Sequence, residues 1–183
     1  MQLTCKIGLA FLLLAFAPAH AAPAQFTVDS KQNVQRFYGV PIDLTLKGLK
    51  SLPFRMKMGE EMGEGDMYPI AWIQANDGVE VKASFGLEGD LYYLESSDPK
   101  AVGPKGIKAG SFLSEVKAAW PTKKLNYGLA EGRYATFSPG TNVMYVFDPY
   151  DLPPQAFDFG DTKIDVPNIK VKSIRMFANL SPG

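Results

Sequence analysis

Histidine and cysteine are almost missing from this chain of 183 residues: each occurs once, as His20 and Cys5, both within the first 21 positions. Beyond those positions the chain has no thiol nucleophile, no histidine acid or base, no Ser-His-Asp triad, no disulfide and no His/Cys metal site. Long apolar runs are scarce too. The longest, Ile7 to Phe16 (IGLAFLLLAF), is about half of the roughly 20 residues that span a bilayer. Nor does one sign of charge dominate: 19 Lys and Arg meet 19 Asp and Glu, so no sustained basic stripe offers itself to phosphates and no nucleic-acid partner is expected. What remains, 46% hydrophobic and 21% charged, is an ordinary globular composition.

Lys6, the apolar run and the small-residue end Ala19-His20-Ala21 have the layout of an export signal over residues 1–21, with cleavage between Ala21 and Ala22. Cys5 precedes the apolar run, whereas a lipoprotein cysteine follows it. The expected product is therefore a soluble, unlipidated periplasmic or secreted bacterial protein. Residues 22–35 read as a flexible arm and 36–183 as one domain.

Charge is segregated along the chain. Residues 22–57 carry a net +4, 58–98 carry −9, and 99–124 carry +5. Such blocks either form opposed faces or neutralise one another where segments pair, and neutralisation is the expected outcome. Ile42–Leu46 and Val79–Phe85 alternate as strands, and Tyr68–Ala75 and Asp90–Glu95 also read as strands, with Asn76-Asp77-Gly78 as a hairpin turn. Between the first two, a Met- and Gly-rich stretch allows a short helix over 57–62, although each glycine costs about 1 kcal/mol in a helix interior. Ser111 reads as the N-cap of a helix over 112–119, which stops at Trp120-Pro121 and turns Phe112, Val116 and Ala119 to the core. A basic loop follows, then strands at 132–137, 142–147 and 169–177.

The fold class expected is therefore α+β: an antiparallel sheet of about six to seven strands with one or two short helices. Lys47-Gly48-Leu49-Lys50 and Lys105-Gly106-Ile107-Lys108 recur 58 residues apart. The recurrence is either the trace of a duplicated helix-plus-three-strand unit, with halves at 42–98 and 99–178, or chance.

Gly106-Ile107, Gly110-Ser111, Glu115-Val116, Trp120-Pro121 and the closing Val171-Lys172-Ser173-Ile174 resemble the helix-then-hairpins pattern of small bacterial envelope proteins. That group includes uncharacterised periplasmic proteins and is distantly similar to β-lactamase-inhibitory proteins and outer-membrane-assembly lipoproteins. The resemblance covers about 70 residues, Gly106 to Phe177, and implies a non-catalytic module that binds another protein. The chain departs from it in having no disulfide pair and no lipid-bearing cysteine.

Motifs of catalysis fail on context. Ser114-Glu115-Val116-Lys117 fits S-x-x-K, but its companion K-T-G and S-D-N elements are missing, and no glycine spacing matches a phosphate loop. The one segment that invites a site is the long Pro- and Asp-rich loop over 149–167. Asp148, Asp151, Asp158 and Asp161 are its candidate calcium ligands, although their spacing is not that of an EF-hand. Tyr150, Phe157 and Phe159 are its candidate protein contacts. The reading reached is an exported, non-catalytic protein-binding module of the cell envelope without a cofactor. Its partner is an envelope or extracellular protein, held by neither a disulfide nor a membrane span. The alternatives are a small-ligand or calcium-binding periplasmic domain and, further off, a hydrolase.

Overall fold

A computed structural model describes residues 25–129, 132–157, 166 and 168–178. The expected export segment 1–21, its expected cleavage site Ala21/Ala22, and Asp158, Phe159 and Asp161 lie outside the described residues. Two antiparallel sheets carry the fold. The smaller contains β1 (Phe26–Val28), β2 (Val34–Phe37) and β3 (Val40–Pro41). The larger contains β4 (Arg55–Gly63), β5 (Asp66–Gln74), β6 (Glu80–Phe85), β7 (Leu91–Ser96), β8 (Leu125–Leu129), β9 (Arg133–Phe137), β10 (Val143–Phe147) and β11 (Val171–Phe177). Its order is β4-β5-β6-β7-β11-β10-β9-β8, so two four-stranded meanders meet where the last strand of each pairs with the other, Glu95 opposite Arg175. The antiparallel α+β architecture stands, but the sheet is larger than six to seven strands, and α1 (Leu113–Ala119) is its one described α-helix, beside short 3-10 turns.

Alternation explains which way the sheet turns. Ala71 and Ile73 of β5, Val81 and Ala83 of β6, Leu94 of β7, Ile174 and Met176 of β11, Val143 and Tyr145 of β10 and Phe137 of β9 share one face, and all are buried. Against this core face lie α1, through Leu113 and Val116, and the small sheet, through Val34, Phe37 and Val40. The helix is rotated by one position from its expected register. Leu113 enters the core while Phe112 is 40% exposed, with Lys170 Nζ 5.1 Å from its ring centre. Phe112 is also the N-cap in place of Ser111: its backbone N–H donates to Glu115 Oε2 at 2.6 Å, while Ser111 Oγ accepts from the Lys108 N–H. The helix ends where Trp120 settles 5.6 Å from Tyr145 on the core face.

Four further expectations are corrected. Residues 57–62 are strand, not helix, because the glycines that would weaken a helix leave room for aromatic rings. A Cβ on Gly59 would lie 2.6 Å from the Trp72 ring. The basic loop contains β8, whose Gly128 seats Tyr134 of β9 in the same manner. Ile42–Leu46 is no regular strand. Its backbone instead links the sheets, Ile42 N–H donating to Gln35 O, Leu46 N–H to Gly89 O, and Leu44 O accepting from Leu91 N–H. The described part of the arm, 25–35, is tied down: Val34 is fully buried, and its N–H donates to Asn142 Oδ1 at 2.7 Å.

Candidate functional site

Of the loop residues singled out in the sequence, the structure keeps Tyr150 at the surface, 79% exposed, and takes Phe157 into the core. Phe157 packs edge-on to Tyr127 with the Arg133 guanidinium 4.8 Å above its ring, so it is a packing residue and not a contact residue. The physical reason is the 3-10 turn at Pro154–Phe157, which folds the loop back onto β8. Asp148 is a turn cap: its carboxylate accepts from Tyr150 N–H at 3.0 Å and from Lys172 Nζ at 3.1 Å. These two donors, the backbone one first, hold its carboxyl below the ordinary value. Asp151 is exposed in the same turn. Among the described residues, no three Asp, Glu, His or Cys side chains gather closely enough to hold a metal ion.

A different surface has the features of a site. The face of the large sheet opposite the core carries neither α1 nor the small sheet, and the register lays out its side chains in rows. One row runs Lys57, Trp72, Lys82, Glu95, Arg175, Met144 across β4, β5, β6, β7, β11 and β10. The next runs Gly59, Ile70, Ser84, Tyr93, Phe177. The first is charged around a tryptophan, the second apolar and aromatic. Trp72, Tyr93, Phe177 and Met144 are each half-buried although no other described element covers them, because they lie against their cross-strand neighbours. Tyr93 and Phe177 stand 5.9 Å apart, each also in contact with Tyr92.

The charges of this face form a chain. Lys82 Nζ lies 3.1 Å from Glu61 and 3.4 Å from Glu95, while Glu95 Oε1 accepts from Arg175 at 3.1 Å and from the Ser173 hydroxyl at 2.5 Å. Burial pushes the Glu95 carboxyl up, but Arg175, the Ser173 hydroxyl and Lys82 together outweigh it and hold the group below its usual value. Lys82 is moved in the complementary direction: burial lowers it, and Tyr93, Glu61 and Glu95 raise it further than burial can offset. Both cations also approach the Tyr93 ring, Arg175 at 4.3 Å and Lys82 at 5.6 Å. The acidic block 58–98 thus neutralises part of itself against one C-terminal arginine.

Two polar groups on this face are left over. Among the described residues, Ser84 Oγ and Arg175 Nε are buried and find no hydrogen-bond partner. A buried donor without a partner costs about 1–3 kcal/mol, and few such atoms survive in a folded chain without a reason. Ser84 opens onto a groove of about 400 Å³ shared with Tyr68, Tyr92, Tyr93 and Met62, and Arg175 onto one of about 360 Å³ shared with Trp72 and Ser173. The arrangement presents stacked aromatic edges and fixed, oriented charges. Sequence reasoning missed it because its members are spread over 121 positions, Lys57 to Phe177, and alternate with core residues. The signal available was the polar half of each alternating strand.

No protein-family model matches the chain, and no curated protein matches it. Among solved structures, the chain is similar to the uncharacterized protein YfeY from Escherichia coli. The likeness covers 74% of this chain and 90% of that one at 17% identity, with a TM-score of 0.51. At that identity the likeness is one of fold.

Proposed function

We propose that this chain is an exported, non-catalytic protein-binding module of the bacterial cell envelope, and that the open face of its large sheet is the contact surface. The observation that carries the proposal is the set of half-buried aromatic side chains Trp72, Tyr93 and Phe177, beside the fixed charges of Lys82, Glu95 and Arg175, on a face that no other described element covers. A partner would cover Trp72, Tyr93 and Phe177, the residue types on which interface energy concentrates. The resemblance of the Gly106–Phe177 pattern to envelope proteins favours this reading. We also read the two meanders as a duplicated unit, since Leu49 and Ile107, the apolar members of the two recurrent tetrapeptides, both enter the core. The unit would then be a four-stranded meander and not three strands with a helix.

The test is capture from envelope extract by the tagged protein. Trp72→Ala should weaken capture of a specific partner at least about tenfold, as truncating an aromatic anchor does. Tyr150→Ser, on the loop, should leave it unchanged. The opposite pattern would move the contact surface to the loop. A second reading, binding of a small ligand, is favoured by the groove at Ser84 and its tyrosines. It predicts instead a small molecule that raises the melting temperature of the purified protein, an effect lost in Ser84→Ala.

A further inference from the structure

β4 is an edge of the large sheet and the longest kind of strand in it, nine residues paired with β5 in unbroken register. Exposed edges are ordinarily blunted by charged side chains, proline, a bulge or shortness, because their free N–H and C=O groups template pairing with another chain. β4 has no proline and no register shift, and its four charges fall in two blocks of opposite sign. β8, at the other edge, has five residues and no charged side chain.

The parity of β4 follows from its hairpin. Glu64 and Gly65 form a two-residue turn with φ of 50° and 90°, which makes Gly63 and Asp66 a hydrogen-bonded pair. Residues 55, 57, 59, 61 and 63 therefore bond to β5, and the N–H and C=O groups of Met56, Met58, Glu60 and Met62 point away from the sheet. The side chains follow a second pattern. The first half of the strand is basic, Arg55 and Lys57, and the second half acidic, Glu60 and Glu61. Met58 and Met62 are exposed, 50% and 75%.

We propose that β4 pairs antiparallel with β4 of a second copy of this chain, about a two-fold axis at Gly59, joining the two eight-stranded sheets into one. This register uses all nine residues. It makes Met58 and Glu60 of the partner subunit one hydrogen-bonded pair and Met56 and Met62 of the partner subunit another, each exchanging two backbone bonds. On the open face Lys57 stands opposite Glu61 of the partner subunit, with Arg55 on its diagonal, and the two-fold repeats both contacts. On the core face the methionines cover one another. Sliding the pairing by one step toward the turn would set Glu60 against Glu60 of the partner subunit, and sliding it one step the other way would leave Met62 and Gly63 without a strand partner, so charge and length together select the register. The occupant is a second copy and not a foreign peptide because β4 carries the charge complement of its own reversed sequence.

The mass of the purified exported protein, measured by light scattering across a concentration series, decides this. A dimer is expected that weakens as salt rises. Met58→Pro removes an N–H that points outward and spares every bond to β5, so it should give a monomer whose melting temperature stays near that of the parent. Lys57→Glu sets like charges face to face and should raise the dimer dissociation constant at least about tenfold. Glu88→Lys, a charge change of equal size and opposite sign on the exposed turn before β7, should not. A monomer at every concentration overturns the proposal, as does a dimer that survives Lys57→Glu unaltered. Should Met58→Pro fail to fold, Lys57→Glu and Glu88→Lys still decide. Capture of an envelope partner is a separate assay and is unaffected by either outcome.

Discussion

Asn142 joins the small sheet to the large one, and its removal has a calculable effect. The side chain accepts from Val34 N–H at 2.7 Å and donates to Val34 O at 2.9 Å and Phe177 O at 3.2 Å. It is 5% exposed, so water cannot readily replace what it offers. At about 1 kcal/mol for each bond lost from a buried group, Asn142→Ala should cost about 3 kcal/mol. In a domain of this size that lowers the melting temperature by about 6–12 °C. Asn142→Asp adds a sign. The new carboxylate can still accept from Val34 but faces the Val34 and Phe177 carbonyls as a third acceptor, so folding raises its pKa. A raised pKa in the folded state means that stability is lost as pH rises through it and recovered on acidification. Thermal unfolding followed by circular dichroism at pH 7 and again near pH 4 reads both effects. An Asn142→Ala protein within about 0.5 kcal/mol of the parent would refute the reasoning, showing that the small sheet is held by its apolar contacts alone.

Val116, fully buried on the core side of α1, should not tolerate aspartate: Val116→Asp should unfold the domain by burying a charge, whereas exposed Ser114→Ala should shift stability by about 0.5 kcal/mol or less by chemical denaturation. Glu95→Gln should cost about 2 kcal/mol at pH 7, because Arg175 and Lys82 lose their shared carboxylate. Since folding lowers the Glu95 pKa, its contribution is present above the ordinary carboxylate range and fades as pH falls below about 4.5, so the acid limb of the stability profile should flatten in the variant. Phe157→Ser should destabilise by about 3 kcal/mol or more, while Tyr150→Ser should leave the melting temperature unchanged.

What could be read beforehand was whatever rested on local pattern. β6, β7, β9 and β11 fall where apolar and polar residues take turns, β5 and β10 are short apolar runs bounded by turn residues, and Asn76-Asp77-Gly78 turns with φ of 59° and 68° at its last two residues. β4 escaped because Gly59 looks like a strand breaker until Trp72, thirteen positions later, is seen to lie over it. The small sheet escaped because Val34 is fixed by Asn142, 108 residues away. A sequence window cannot contain either pairing. The helix was found but turned by one residue, since Phe112 and Leu113 are both apolar and only the Glu115 side chain, reaching back to the Phe112 N–H, sets the first turn. The candidate site was placed on the loop because prolines, acids and aromatics stand out in a linear chain. A sheet face gathers its members from six strands and stands out only once the register is known.

The central claim, that the open sheet face receives a partner, is tested most directly by oxidative footprinting of the protein alone and in complex with the partner captured from envelope extract. The claim predicts that Trp72, Tyr93 and Met144 lose labelling on binding while Tyr150 and Val28 keep theirs. Protection of Tyr150 with unchanged labelling across Trp72, Tyr93 and Met144 would contradict it.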